Sequence, residues 1–515
     1  MPRSKQRQAS GVALWSAVLL ALLSSLTSAA QAVAARQEAV PAPAPACAVL
    51  PPLGKPPATA LDVTRFGAHG DDEREDTAAI ERALASLKPG QTLVFPRGRY
   101  LHARRLSITT PNVTLWGVDA TLHATNPADQ ALLIQASGVR VLGLTLTAVT
   151  DKRRSAPWES RIAVWRPRAE VARDGRLRDI VIRGNRIVPA VARSVQDGPL
   201  ANSAGSAAIF ISGAEDFLVA ENTVERPLAD AIHLTGGARN GRVLANRVRE
   251  SGDDMIAVVS YLGDGPWTRN QTAEIAASIE RRRDTMLVRN VLIADNDVEG
   301  QYWGRGITVV GGEDITIRNN RIVNTPHAAA IYLSREQVYV TFGVRNVLVQ
   351  ENTIAQVQTR QAEYNPLPLP QRLRRTGHGA IEVIAHAFVD ELAEPKLAGL
   401  LGVDGVRIEG NRISEVRTTG IRIAQDAGES EERSGTDDQG NRVTRTSIGG
   451  GVRDVQVLNN RFDDIGGKPI TAFGAAEALA LVCRGNVEGA RSASEERCGA
   501  AGEAAKITGA SLTCR

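Results

Sequence analysis

Three aspartates and one arginine carry most of the chemistry this chain offers. Aligned on a recurrent isoleucine, a short apolar repeat reads Ala207-Ala-Ile209, Asp230-Ala-Ile232, Asp254-Met-Ile256, Arg305-Gly-Ile307, Ala329-Ala-Ile331, Gly379-Ala-Ile381 and Thr419-Gly-Ile421. Asp230, Asp254 and Arg305 thus fall in consecutive registers, with Asp253 beside Asp254. Cleaving a glycosidic bond takes one protonated and one ionised carboxyl flanking it. Carboxylates on neighbouring turns of a stacked sheet lie about 5 Å apart at the backbone. Their repulsion raises one pKa and keeps a proton on the group that must donate it. Arg305 would bias the other carboxyl toward ionisation or bind the sugar, and it fits a salt bridge equally well. Each aspartate alone fits a turn cap. Three together point to a catalytic site.

A second column follows from strand parity. If the isoleucines face inward, the next residues face outward: Phe210, His233, Ala257, Thr308, Tyr332, Glu382 and Arg422. Such a strip would hydrogen-bond and stack sugars, so His233, Tyr332 and Glu382 are expected substrate contacts. His327 is expected to touch substrate in the groove rather than carry protons. Trp303 stands by register beside the acids and suits sugar stacking. Asp230 and Asp254 share parity with the inward isoleucines, so they must sit on a bend where alternation fails. No metal is expected: no CxxC-like pair or neighbouring histidine accompanies the cysteines.

The elements that must hold these residues repeat. A short alternating strand ending in Asn recurs at Asn185, Asn222, Asn246, Asn296, Asn320, Asn352, Asn411 and Asn460, and the intervals Asn222 to Asn246 and Asn296 to Asn320 are each 24 residues. That period marks a parallel β-helix or a leucine-rich repeat. The LxxLxLxxN spacing is missing and no helix is expected within the coils, which leaves the β-helix, an all-β fold. Asn at a fixed bend stacks on itself and bonds backbone groups, so the ladder reads as structural. Before it, Asp76 is expected to N-cap a short helix carrying Ile80, Leu84 and Leu87, stopped by Pro89-Gly90. Three insertions break the period: 262–286 with a helix from Thr272 to Arg283, 357–376, and a polar, glycine-rich 425–450. Long loops on a solenoid usually wall a groove.

Two resemblances add to this reading. Val63-Thr-Arg-Phe66-Gly-Ala-His-Gly70-Asp-Asp, the helix after it and Val94-Phe-Pro96-Arg-Gly-Arg-Tyr100 resemble the N-terminal region of pectate-lyase-like proteins. This implies a right-handed parallel β-helix whose short N-terminal helix covers the open end. Leu228-Ala-Asp230-Ala-Ile-His, Ser251-Gly-Asp253-Asp254-Met-Ile-Ala and Trp303-Gly-Arg305-Gly-Ile resemble the successive "NTDGIDI", "DDCIAI" and "GHGISIG" coils of the polygalacturonase family of glycoside hydrolases. The resemblance implies that Asp230, Asp253 and Asp254 act as general acid and as base for water, with inversion. Arg305 replaces the family's histidine. Tyr332 and Ser334 replace the basic pair that would hold a galacturonate carboxylate.

Composition bounds the rest. The 515 residues carry a formal charge of +4, are 43% hydrophobic and 4% aromatic, and include 47 Gly, three Met and four Cys. Part of the positive charge lies near the N-terminus, in Arg3, Lys5, Arg7 and Arg36, so composition argues for neither nucleic acid nor an anionic membrane. The basic start, the apolar run from Val12 to Leu23 and the small residues after it read as a signal peptide over 1–34. A Pro/Ala-rich linker over 35–58, the β-helix over 59–480 and a disulfide-linked tail over 481–515 complete the expected organisation. The expected protein is a monomer, secreted or periplasmic, with a polysaccharide as its partner and no membrane association after cleavage. Two further readings stand: a lyase or uronate epimerase, with the aspartates holding calcium, and a non-catalytic glycan-binding surface protein.

Overall fold

A computed structural model describes residues 50–150, 152–190, 207–270, 272–359, 375–424, 430–473, 479–489, 491–492 and 499–500. The expected signal peptide, most of the linker, and Cys47, Cys498 and Cys514 lie outside them. Each turn of the chain lays one strand into each of three sheets. Sheet A runs from Leu61–Asp62 to Val482–Arg484, sheet B from Gly98–His102 to Val487–Glu488, and sheet C from Leu106–Ile108 to Gly499–Ala500. Along this path successive strands pair in parallel. The fold is a right-handed parallel β-helix.

The aligned isoleucines are the spine of sheet C. Ile209, Ile232, Ile256, Ile307, Ile331, Ile381, Ile421 and Ile470 are successive register partners, all buried in one core. Burying each such side chain stabilises the winding by about 1.5–3 kcal/mol. The asparagines stack at the corner between sheets A and B. Asn246 shows the pattern: its backbone N–H and its Nδ2 both donate to Asn296 Oδ1, at 2.9 and 3.0 Å, and Nδ2 also donates to the Val219 carbonyl at 2.9 Å. The ladder extends one rung past the expected last copy, to Asn486. The residue before each rung has a positive φ, as at Glu221, Ala245 and Glu351. A side chain there is strained by sterics, and the asparagine bonds fix the corner nonetheless.

Several expected elements take other forms. The first helix spans Thr77–Ser86 and buries Ile80, Ala83 and Leu84. Asp76 precedes it, yet its carboxylate accepts from the backbone N–H groups of His69 (2.7 Å) and Leu101 (3.0 Å). It ties the helix to the first coil instead of capping it. The insertion at 262–286 holds two helices, Thr272–Ala277 and Ile279–Met286, because the Ser278 hydroxyl bonds back to the Glu274 carbonyl at the break. Short helices also occur in the connections, at Arg168–Asp174, Val389–Leu392 and Pro395–Ala398. They occupy connections, so the strand period survives. The third insertion forms an antiparallel hairpin, Glu431–Thr436 with Arg442–Gly449, that pairs with the end of Ile381–Phe388. The second lies mostly outside the described residues. Cys483 is buried in sheet A and has no disulfide partner among the described residues. Among the described residues, no helix is long and apolar enough to cross a membrane.

Candidate active site

The three aspartates converge. Asp230 lies in the turn before the strand Ile232–Thr235, and Asp253 and Asp254 lie between Arg247–Ser251 of sheet B and Ile256–Val259 of sheet C. This is the bend that parity demanded. One carboxylate oxygen from each falls within 4.8 Å of the others. Backbone amides lock the coils together here: Asp254 N–H donates to Asp230 Oδ1 at 3.0 Å, and Arg305 N–H donates to Asp254 Oδ1 at 2.7 Å. Gly304 permits this approach, since a Cβ there would collide with the Asp253 carboxylate and the Asp254 amide.

Burial and charge then act on the cluster. Burial pushes the Asp254 carboxyl well above the usual range; Arg305 opposes this, while the charges of Asp253 and Asp230 add to it. Asp253 is also raised, by burial and by Asp230, and Arg153 and Arg305 pull it back. Both shifts favour the protonated form, and most strongly at Asp254. His233 Nδ1 lies 2.6 Å from Asp230 Oδ2. The contact takes the imidazole Nδ1 and the carboxylate oxygen as one donor–acceptor pair. The imidazole stacks on Phe210, with ring centroids 5.3 Å apart.

Other expected contacts are engaged elsewhere. The Arg305 guanidinium donates to Glu336 Oε1 at 2.6 Å, lies 3.9 Å from Asp254 Oδ2 and stands 4.3 Å over the Tyr332 ring. Salt bridge and register position thus coincide in one residue. Tyr332, only 5% exposed, presents its face to Arg305 and His378 rather than to a groove. Glu382 is fully buried, accepts from the Gly379 N–H and pairs with Arg422. The outward column exists in register, but neighbouring side chains close over it, which removes Tyr332 and Glu382 from direct sugar contact. Trp303 lies beside the acids with the Arg153 guanidinium 5.5 Å over its ring. His327 is half-buried and does not line the cleft.

Four residues at the site went unnoticed in the sequence: Arg153, Tyr261, Glu336 and Tyr339. Arg153 pairs with Asp253 from a loop a hundred residues upstream, and no local pattern marks it. Glu336 could have been found by extending strand parity from Tyr332. These four join Asp230, His233, Asp253, Asp254 and Arg305 around a cleft of about 150 Å³. A neighbouring cleft of about 390 Å³ shares Arg153, Asp230, His233 and Tyr261 with it and continues past Phe210.

Comparison with known proteins agrees with this architecture. The sequence profile of the family described as rhamnogalacturonase A/epimerase, pectate lyase-like, matches residues 60–355. An exopolygalacturonase from Zea mays is 27% identical over 216 residues, covering 39% of this chain and 49% of that protein. The chain thus spans about half the length of the curated relative it matches. Among solved structures, the catalytic unit of the GH87 α-1,3-glucanase from Streptomyces thermodiastaticus superposes with a TM-score of 0.57 at 18% identity. That match covers 87% of this chain and 66% of the glucanase chain. The A-module of the Azotobacter vinelandii mannuronan C-5 epimerase AlgE6 aligns over 83% of this chain and 99% of its own, at 13% identity and a TM-score of 0.46.

Proposed function

Because the chain belongs to the rhamnogalacturonase A/epimerase, pectate-lyase-like family, we propose that it is a glycoside hydrolase acting on a polysaccharide. The observation that carries this reading is the convergence of Asp230, Asp253 and Asp254 in an open cleft. Asp254, the most deeply buried of the three, holds the proton that passes to the leaving glycosidic oxygen. Asp253, whose carboxyl is raised by burial but drawn back by the cation of Arg153, takes a proton from the attacking water. Asp230 orients His233 and receives the Asp254 amide, which fixes the spacing of the pair. The apolar N-terminal segment supports export to where polymers are met.

A panel of plant and bacterial polysaccharides tests the proposal, with products read by mass spectrometry. Hydrolysis adds the mass of one water per cleavage and leaves no ultraviolet-absorbing unsaturated end. Products carrying such ends would instead make the protein a lyase. Asp254→Asn should lower turnover by at least about a thousandfold, the scale of losing a general acid, while the variant keeps its fold by circular dichroism. Turnover within tenfold of wild type would remove Asp254 from the reaction.

A further inference from the structure

Every cation lining the 150 Å³ cleft among the described residues already has a carboxylate partner. Arg305 gives its Nη2 to Glu336 and rests on Tyr332. Arg153 pairs with Asp253 and lies over Trp303. Asp230, Asp253, Asp254 and Glu336 are the acids of the same wall. A uronate entering here would meet more carboxyl groups than guanidiniums. To gain an arginine it would have to displace a part-buried carboxylate and leave that group unpaired, which costs several-fold to many-fold in affinity.

The same cleft carries an apolar feature. Of the large hydrophobic side chains left exposed among the described residues, the two aromatic ones are Tyr261 and Tyr339, at 38% and 58%, and both line this cleft. Their loops are joined by an antiparallel bridge between Tyr261 and Thr341. Exposed, fixed aromatic faces beside acceptor-rich walls suit a pyranose that offers C–H faces and hydroxyl donors.

We propose that the sugar bound at the aspartates is a neutral glycosyl unit resting against Tyr261 and Tyr339, and that Glu336 sets this preference by occupying Arg305. The inference rests on the hydrolase reading of the site and narrows its substrate class to neutral glycans.

Binding tests it separately from turnover. The full chain is titrated by calorimetry with neutral gluco-, galacto- and rhamno-oligosaccharides and with oligogalacturonates of equal length at matched ionic strength. At least one neutral series should bind tenfold or more tightly than the oligogalacturonates. Glu336→Gln, which frees Arg305, should shift the neutral-to-uronate ratio at least fivefold toward uronate, and Tyr339→Ala should weaken neutral binding at least fivefold. Tighter binding of oligogalacturonates, a ratio unmoved by Glu336→Gln, or no binding of either class overturns the proposal. Neutral binding without release of reducing ends would sink the hydrolase reading and leave this preference standing.

Discussion

Two corners of the same solenoid stack polar side chains coil upon coil, with opposite results. At the A–B corner the asparagines run from Asn185 to Asn486, each almost wholly buried, each linked to the next. At the B–C bend the aspartates also bond to the neighbouring coil through a backbone amide, but in the reverse sense. There the later coil's N–H donates to the earlier coil's side chain, whereas a ladder N–H donates to the rung that follows. The chemical difference matters more than the direction. An amide side chain both donates and accepts, so a column of asparagines satisfies itself at any length. A carboxylate only accepts, so each added aspartate adds charge. The column must then recruit protons and cations, as it does with Asp254, Arg153 and Arg305. One corner satisfies itself, and the other depends on the charges around it.

Exchanging the two chemistries gives the sharpest test. Asn296→Asp should destabilise the protein by about 3–5 kcal/mol at neutral pH, the cost of an uncompensated buried charge. Asn296 Nδ2 now donates to Val243 O, Ala294 O and Asn320 Oδ1, and a carboxylate would face all three as an acceptor. Denaturant unfolding reads the loss, and an effect below 1 kcal/mol would mean that the ladder does not hold the corner.

Glu382 is an intermediate case, a single buried acid with Arg422 on the next coil. Burial pushes its carboxyl up to about 7. The folded state then holds a proton that the unfolded chain has released, so its contribution is present below about pH 4.5 and lost as pH rises to about 7. The change amounts to at most about 3.5 kcal/mol at about 1.4 kcal/mol per unit. Melting curves of wild type and Glu382→Gln across pH 4.5–7 should converge at the acid end and separate toward neutrality, the variant being the more stable. Parallel curves would show that Arg422 keeps the carboxylate ionised throughout.

The smallest effect is expected at the site itself. Asp254→Asn replaces a buried acid, whose ionisation its surroundings oppose, by a group that cannot ionise, so the variant should be more stable than wild type at pH 7 by about 1 kcal/mol, the usual cost of keeping a strained functional group. A loss of stability instead would mean that the carboxylate is a structural acceptor, and the contrast between the two corners would fail.

How far the sequence could be read follows the same division. The isoleucine and asparagine columns were legible because each answers to a local rule repeated once per turn: a buried aliphatic, a bend, an amide that bonds to its copy. Asp230, Asp253 and Asp254 were legible because they ride in those registers. Parity also foretold the column through His233, Tyr332 and Glu382, but it could not foretell what covers it. Burial of Tyr332 and Glu382 depends on Arg305, Arg422 and His378, whose directions are set by their partners and not by the strand period. Asp76 follows the same division: it stands at the N-cap position as its place in the chain implies, while tertiary contacts draw its carboxylate to His69 and Leu101.

The sequence by itself determined the winding and the gathering of three acids on adjacent coils, because both follow from a repeat whose period is written in the chain. The tertiary structure decided which cations meet those acids and which aromatic rings border them. Arg153, Tyr261 and Tyr339 reach the cleft from outside the repeat motif, and distance along the chain says nothing about distance across the groove.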